Sequence, residues 1–223
     1  MLTPGPLYAQ AESLLRARIA DGTWLPGMAL PAEPVLAAEL GVSQGTLRRA
    51  LAALERARLI EKLQGKGSIV ATHTSERALF HFFRLRDAKG RAITPTSIVT
   101  RIARDARSVR ISRLRLLDGR AVIFERITLP AARFQGFTLP LKRELPDELY
   151  VHYQRHHGVT VARAEESLGA VAADPAATRA LDVPPGTPLL RVDRTAFDAG
   201  GAPVEERVSL IDTRAHHYRI SLD

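Results

Sequence analysis

The chain contains no cysteine among its 223 residues. Disulfide bonds, thiolate metal sites and a cysteine nucleophile are therefore excluded, and the absence fits a reducing compartment. No run of about eighteen apolar residues occurs, so we expect no helix that crosses a membrane. The residues Met1–Gly5 have neither a basic region nor an apolar core. We therefore expect no signal peptide and a cytoplasmic location.

The composition is that of a globular protein with a basic balance. Hydrophobic residues make up 45% and charged residues 25% of a chain long enough for one large domain or two small ones. The net charge of +8 favours an acidic partner such as nucleic acid. However, residues 1–75 hold 8 Lys and Arg against 6 Asp and Glu, and residues 76–223 hold 24 against 18. Most of the excess therefore lies in the second part, where an anionic ligand is an alternative explanation.

The residues from Gly41 to Leu54 predict a tight turn followed by a capped, amphipathic helix. Ser43 suits the N-cap, because its hydroxyl can accept a hydrogen bond from an amide of the first turn. The apolar face is formed at helical spacing by Leu47, Ala50, Leu51 and Leu54. The outward face carries Gln44, Gly45, Arg48 and Arg49. These groups lie at the helix end whose partial positive charge attracts phosphate, although an ordinary solvated surface helix is the alternative.

The neighbouring residues predict a winged helix-turn-helix. Apolar residues at helical spacing from Leu7 to Ile19 predict a first helix, and Pro34 suits the first turn of a second one. The helix that begins after Ser43 follows at once, as in a helix-turn-helix. Residues 61–70 alternate around a glycine-rich tip, which predicts a β-hairpin wing. The fold expected for residues 1–71 is therefore mainly α-helical, with a β-hairpin wing.

The first seventy residues also contain a series of short stretches in a fixed order. They include Leu25-Pro26-Gly27, Leu30-Pro31-Ala32-Glu33, Val42-Ser43, Thr46-Leu47-Arg48 and Gln64-Gly65-Lys66-Gly67. Together they resemble the N-terminal domain of GntR-type transcription regulators. The resemblance implies that the capped helix enters the major groove of double-stranded operator DNA and that the wing reaches the minor groove. The DNA-binding residues expected on this basis are Ser43, Gln44, Gly45, Thr46, Arg48, Arg49, Gln64, Gly65, Lys66 and Gly67.

Three positions depart from that family pattern: Pro34 stands where the family frequently has a charged residue, and the other two have physical consequences. The residue after Ser43 is often Arg in the family and is Gln44 here. Since Gln pairs best with adenine and Arg with guanine, we expect an operator that differs from the common one at this base pair. Ala32 replaces a capping Ser, which should weaken the second helix by about 1 kcal/mol.

Residues 80–223 have a different pattern, and a polar linker at residues 72–79 separates them from the first domain. Strand-like alternation outweighs helical spacing, which predicts an α+β domain built on an antiparallel sheet. The predicted strands are residues 79–85, 97–104, 109–117, 121–129, 160–173, 189–198 and 203–210, and the predicted helices are residues 146–157 and 175–181.

Two charged hairpins and several short stretches carry a second resemblance. They are Arg115 to Arg126, Arg194 to Arg207, Pro95-Thr96-Ser97, Leu149-Tyr150 and Gly186-Thr187-Pro188. These resemble the UTRA effector domain of the histidine-utilisation-repressor subfamily. The resemblance implies a chorismate-lyase-like fold, a homodimer and a small polar metabolite as effector. The effector-binding residues expected from it are Ser97, Arg113, Arg115, Glu125, Tyr150, Glu205 and Tyr218.

The spacing of the charged residues bears on the ligand. Arg113 and Arg115 share one face of a predicted strand, because side chains alternate along a strand. A three-residue loop before the next strand would place Glu125 on the same face, and a two-residue loop would place it on the opposite face. The family resemblance favours the three-residue loop. The alternative for all three residues is a set of surface salt bridges.

Glu148 narrows the class of ligand that we expect. Paired arginines suit a carboxylate or a phosphate. However, Glu148 stands where phosphosugar-binding members of the family have Ser or Thr, and it repels any anion. We therefore expect a ligand with an amine or hydroxyl end, compatible with a carboxylate, and not a phosphosugar.

Neither a metal site nor a cofactor is predicted. His152 and His156 are one helical turn apart, a spacing that can hold a metal, but a solvated helix is the preferred interpretation. We expect a DNA-binding transcription regulator, a repressor whose operator affinity a small molecule controls, with no membrane partner. An enzyme with a lyase-like C-terminal domain is the alternative, although the sequence has no nucleophile–base spacing and no cofactor motif. Architectural DNA binding without an effector is a third possibility.

Overall fold

The computed structural model describes residues 5–65, 67–74 and 83–220. The chain divides into two compact units, of which the first comprises Met1–His73, Tyr153–Arg163 and Phe197–Ala202. The second comprises Thr74–His152, Ala164–Ala196 and Pro203–Asp223. Most of the predicted linker, and residues 79–82 of the strand predicted after it, lie outside the described residues. No helix in the described part is long and apolar enough to cross a membrane.

Three helices make up most of the first unit: α1 (Leu7–Ala20), α2 (Glu33–Glu39) and α3 (Gln44–Arg56). Helix α3 packs on both α1 and α2. Its predicted apolar face is confirmed, because Leu47, Ala50, Leu51 and Leu54 are all buried. They share one core with Leu15 of α1 and Leu36 of α2. Burial of each such leucine stabilises the unit by about 1.5–3 kcal/mol. The apolar face of α3 therefore fixes the orientation of this helix.

The N-termini of α2 and α3 are capped differently. Ala32 precedes α2 and makes no side-chain hydrogen bond to the first turn of this helix, as predicted for a residue without a polar side chain. Ser43 precedes α3, and its hydroxyl accepts a hydrogen bond from the Thr46 amide. A side-chain cap of this kind is worth about 1 kcal/mol, so α3 has the better-defined start.

A β-hairpin follows the helices. Strand β1 (Ile60–Leu63) pairs antiparallel with β2 (Gly67–Val70). Gly65 and Gly67 have φ angles of 76° and 77°, in the left-handed region that favours glycine, which explains the glycine-rich tip. Lys66, between them, lies outside the described residues. The order helix, helix-turn-helix, hairpin is that of a winged helix, as predicted.

The second unit is built on a six-stranded sheet with the order β4-β5-β6-β9-β8-β7. Its strands are β4 (Thr96–Arg104), β5 (Ser108–Leu117), β6 (Arg120–Pro130), β7 (Val161–Ala172), β8 (Pro188–Asp198) and β9 (Pro203–Ile211). The pairs β4/β5, β5/β6 and β6/β9 are antiparallel, and a separate pair joins β3 (Leu85–Asp87) to β10 (His216–Tyr218). Two further helices are described, α4 (Leu149–His157), whose residues from Tyr153 onward belong to the first unit, and α5 (Pro175–Leu181). The predicted α+β class is confirmed.

The hairpin between β5 and β6 differs from the favoured prediction. Its turn has two residues, Asp118 and Gly119, both with positive φ (49° and 77°), as in a type I′ turn. The three-residue loop is therefore wrong. A bulge at Val122 then shifts the register by one residue, so Glu125 still pairs directly with Arg113. Glu125 thus faces the same side as the arginines, by a route that the turn residues alone do not reveal.

Candidate functional site

The N-terminal end of α3 presents an exposed polar surface. The Ser43 hydroxyl accepts from the Thr46 amide at 3.1 Å and lies 2.9 Å from the Thr46 hydroxyl. Gln44 and Gly45, which come next, are exposed. A Cβ added to Gly45 would meet only the Ser43 hydroxyl, at 3.9 Å. The fold of this chain therefore has no steric need for glycine at a helical position where glycine is unfavourable.

Both predicted arginines of α3 are held at the surface by neighbouring side chains. The Nε atom of Arg48 donates to Oε2 of Glu33 at 2.7 Å, while the Arg48 side chain stays 65% exposed. An exposed pair of this kind is worth at most about 1 kcal/mol, so Arg48 can exchange it for another anion at low cost. The guanidinium of Arg49 lies 4.6 Å from the centroid of the Tyr8 ring. Among the predicted wing residues, Gln64, Gly65 and Gly67 are exposed.

In the second unit, one face of the sheet changes from apolar to charged along its strands. On β5, buried Val109 and Ile111 are followed on the same face by Arg113 and Arg115. The other buried polar residues on this face are Ser97, Glu125, Glu205, Arg207 and Ser209. All are less than a tenth exposed, so the alternative of surface salt bridges is wrong for them. We call these residues, with Glu148, Tyr150, Glu166, Arg194 and Tyr218, the charged cluster.

Glu125 lies at the centre of the charged cluster. Its Oε2 accepts from Nε of Arg113 at 2.5 Å, and its Oε1 lies 3.3 Å from Nη1 of Arg207. The hydroxyl of Ser209 is 3.4 Å from the same Oε1. Burial alone raises the pKa of the Glu125 carboxyl, but the nearby guanidinium groups outweigh it and hold this pKa well below its usual range. Glu125 is therefore a buried anion fixed by two strands.

Glu205 and Tyr150 extend this network. The Tyr150 hydroxyl donates to Oε1 of Glu205 at 3.0 Å, and Nη2 of Arg207 lies 2.8 Å from Oε2 of Glu205. Burial, followed by the charge of Glu205, raises the pKa of the Tyr150 hydroxyl. Tyr150 therefore stays a neutral donor at physiological pH.

Glu148 pairs with the two arginines of β5. Its Oε1 accepts from Nη2 of Arg115 at 2.7 Å, and its Oε2 lies 3.7 Å from Nη1 of Arg113. Burial lowers the pKa of the Arg115 guanidinium to about 10, against the opposing effect of Glu148. Ser97 pairs across the strands with Arg115, and its hydroxyl has no hydrogen-bond partner within the described residues.

Glu166 joins the remaining residues to the charged cluster. It accepts from Nε of Arg194 at 2.6 Å and from the Tyr218 hydroxyl. Nη1 of Arg194 in turn lies 3.5 Å from the Tyr150 hydroxyl. Burial and the hydrogen bond to Glu166 raise the pKa of the Tyr218 hydroxyl well above its usual range. The carboxylates, arginines and tyrosines therefore form one connected set.

Two cavities open onto the charged cluster, with empty volumes of about 370 and 250 Å³ that include space open to solvent. Both are lined by Phe83, Arg115, Arg194 and Arg207. The larger also has an apolar wall made by Phe83, Leu85, Ile123, Val192 and Ile211. The guanidinium of Arg115 lies 4.7 Å from the centroid of the Phe83 ring, between the two cavities. The arrangement suits a small molecule with both apolar and charged parts.

The structure brings together all seven residues predicted for the effector site. The sequence singled out Glu148 for its effect on the ligand without listing it as a site residue, and the members that the prediction missed are Glu166, Arg194, Arg207 and Ser209. Arg207 and Ser209 could have been predicted, since they lie two and four residues after Glu205 on one strand and therefore share its face. Glu166 and Arg194 come from strands far apart in sequence, and no local pattern links them. The His152 ring instead packs edge-on against Phe137, with 5.3 Å between ring centroids.

Comparisons with known proteins agree with this arrangement. Residues 94–217 match the family model of the UTRA domain, and residues 7–70 match that of bacterial regulatory proteins of the gntR family. The HTH-type transcriptional regulator SmoD from Agrobacterium fabrum is 29% identical over 73% of this chain and 73% of its own length. A histidine utilization repressor from Pseudomonas putida is 28% identical over 90% of this chain and 86% of its own.

A solved structure resembles the second unit. It is the ligand-binding domain of a GntR-family transcriptional regulator from Bordetella bronchiseptica, with 31% identity and a TM-score of 0.58. The match covers 64% of this chain and 98% of that one. The chain therefore belongs to the GntR family of regulators that carry a UTRA domain. It is a DNA-binding transcription regulator with an effector-binding domain, as predicted.

Proposed function

We propose that the chain is a repressor that binds a two-fold operator as a homodimer and that a small polar metabolite in the charged cluster controls its operator affinity. The observation that carries the proposal is that one chain combines an exposed, capped helix α3 with a buried charged cluster around two cavities. The histidine utilization repressor from Pseudomonas putida, which this chain resembles over most of its length, supports the negative direction of regulation.

On the DNA side, α3 is the proposed recognition helix. Arg48 and Gln44 would contact base edges in the major groove, and Ser43 and Thr46 would contact the backbone at the helix N-terminus. Arg49 adds a cation for phosphate. The wing residues Gln64 to Gly67, Lys66 included, would reach the minor groove. The exposure of Gln44 and of Arg48 supports these roles.

On the effector side, the charged cluster is proposed to bind its ligand without transforming it. Each of its carboxylates accepts from an arginine or a tyrosine, which suits recognition. Ligand binding would shift the population of operator-competent dimers, a coupling between sites that needs no chemical step. The corresponding division of the chain is residues 1–71 for DNA, 72–79 as linker and 80–223 for effector and dimerisation, in a cytoplasmic protein.

A gel shift on the upstream region of the chain's own gene, repeated with candidate metabolites, tests this function. The wild type should shift the DNA, and one metabolite should change the shift. Arg115→Met, once circular dichroism shows that it is folded, should bind the DNA as tightly as the wild type but lose the response, because Arg115 lies between the two cavities. Light scattering should give the mass of a dimer. A monomer that binds DNA, or a response that survives Arg115→Met, would contradict the proposal.

A further inference from the structure

Glu148 differs from the other carboxylates of the charged cluster in how it is held. Glu125, Glu166 and Glu205 belong to strands β6, β7 and β9, whereas Glu148 lies in the segment just before α4. The Glu148 side chain is 13% exposed, compared with 4% for Glu125, 0% for Glu205 and 17% for Glu166. Of the four carboxylates, Glu148 is therefore the one that no strand of the sheet carries.

In the described part of the chain, the Glu148 carboxylate leaves donors of both β5 arginines unsatisfied. It hydrogen-bonds to Arg115, but its distance of 3.7 Å from Nη1 of Arg113 is too long for a hydrogen bond. Within the described residues, Nη1 of Arg113 and Nε of Arg115 are buried and have no hydrogen-bond partner. Buried donors of this kind are costly to leave unsatisfied. A better-placed carboxylate could satisfy both, because arginine binds carboxylates through two N–H groups at once.

We propose that Glu148 fills the anion subsite formed by Arg113 and Arg115 until the carboxylate of the effector replaces it, and that the effector carries an amine which the displaced Glu148 receives. The inference rests on the proposed function, because it takes the charged cluster to be the effector site. The ligand class is then an amino carboxylate.

The charge balance of the cluster supports this class. Within the charged cluster, four arginines (Arg113, Arg115, Arg194 and Arg207) face four glutamates (Glu125, Glu148, Glu166 and Glu205), and Arg84 also lines the larger cavity. A ligand with one positive and one negative group exchanges partners without changing the net charge. A phosphate ester would add two negative charges beside Glu148, where burial leaves repulsion poorly screened. The apolar wall of Phe83, Ile123 and Val192 would contact the body of the ligand.

Inorganic phosphate is a direct probe of the subsite. Calorimetry would compare the full chain with Glu148→Gln, Glu148→Ser and the control Glu144→Gln, an exposed carboxylate in the same segment. Both Glu148 variants should bind phosphate about tenfold more tightly than the wild type, since one like charge has gone. The control should match the wild type, and adding Arg115→Met to Glu148→Gln should remove the gain. Equal phosphate affinity in the wild type and both Glu148 variants would overturn the proposal.

The amine is tested by thermal shift with a series of amino carboxylates and their deaminated forms. The wild type should be stabilised by at least one amino carboxylate more than by its deaminated form, and Glu148→Gln should lose that difference. If no amino carboxylate stabilises the wild type, or if the deaminated forms stabilise it equally, this part of the proposal is overturned.

A gel shift on the same variants distinguishes failure of this inference from failure of the proposed function. If Glu148→Gln binds the operator normally but gains no phosphate affinity, only this inference fails. If the wild type itself does not bind the operator, the proposed function fails.

Discussion

Arg113 and Glu125 face each other directly across β5 and β6, with Nε and Oε2 2.5 Å apart and both side chains less than 5% exposed. The pair holds the centre of the charged cluster, because Arg207 and Ser209 contact the same carboxylate. A buried pair gains little overall from its charges, but the loss of one partner leaves the other charged and desolvated. The cluster should therefore be sensitive to single neutral substitutions.

Glu125→Gln should lower the free energy of unfolding by about 3–5 kcal/mol, because the guanidinium groups of Arg113 and Arg207 lose their shared anion. Urea unfolding followed by circular dichroism measures the change. Glu206→Gln, exposed on the other face of β9, is the matched control and should stay within about 0.5 kcal/mol of the wild type. A loss below about 1 kcal/mol in Glu125→Gln would mean that the pair is not buried in solution.

Stability should also fall in acid through Glu125. Its pKa is lowered in the folded state, so its contribution is complete above the unfolded value of about 4.3 and is lost as the pH falls towards the folded pKa. The free energy of unfolding of the wild type, measured from pH 6 downward, should therefore decrease below about pH 4.3. The decrease should be smaller in Glu125→Gln, which has no proton to gain there. Parallel curves for the two proteins would show that Glu125 titrates normally.

Gly45→Ala should separate stability from DNA binding. Alanine is favoured over glycine in a helix by about 0.5–1 kcal/mol, and a Cβ at this position has room, so the variant should be slightly more stable. Operator affinity should nevertheless fall, because the added Cβ would stand where we propose that α3 approaches DNA. Thermal unfolding and anisotropy titration measure the two effects. Unchanged operator affinity would place Gly45 away from the DNA.

Gln44 should determine one base pair of the operator. Binding-site selection with the wild type should return adenine at the position that Gln44 contacts, and Gln44→Arg should return guanine there. The preference for the matching base should be about 1–3 kcal/mol in each protein. Selection of guanine by the wild type, or of the same base by both proteins, would show that Gln44 does not read this position.

Much of the fold follows from local patterns in the sequence, and most of what does not depends on pairing between distant strands. The buried face of α3 and its Ser43 cap follow from helical spacing and capping chemistry. The position of Glu125 does not follow from such patterns. The turn is one residue shorter than the favoured prediction, and the bulge at Val122 shifts the register by one residue, so that Glu125 still pairs with Arg113.

The charged cluster shows the same limit. The sequence predicts that Arg113 and Arg115 lie on one face of the sheet, because side chains alternate along a strand. Arg194 and Glu166 meet only because β8 lies beside β7 in the sheet, an order that no short stretch encodes. The helix predicted at residues 146–157 begins at Leu149 instead, which leaves Glu148 in the segment before it, where its carboxylate reaches Arg115.

We propose that the exposed N-terminal end of α3 recognises a specific operator. Anisotropy titration of a selected operator and a scrambled duplex, with the wild type, Arg48→Ala and Arg56→Ala, measures this recognition. Arg56 is the matched control, an arginine in the last turn of the same helix. Arg48→Ala should lose about 1–3 kcal/mol of the preference for the operator, while Arg56→Ala keeps it. Retention of the full preference by Arg48→Ala would contradict the account.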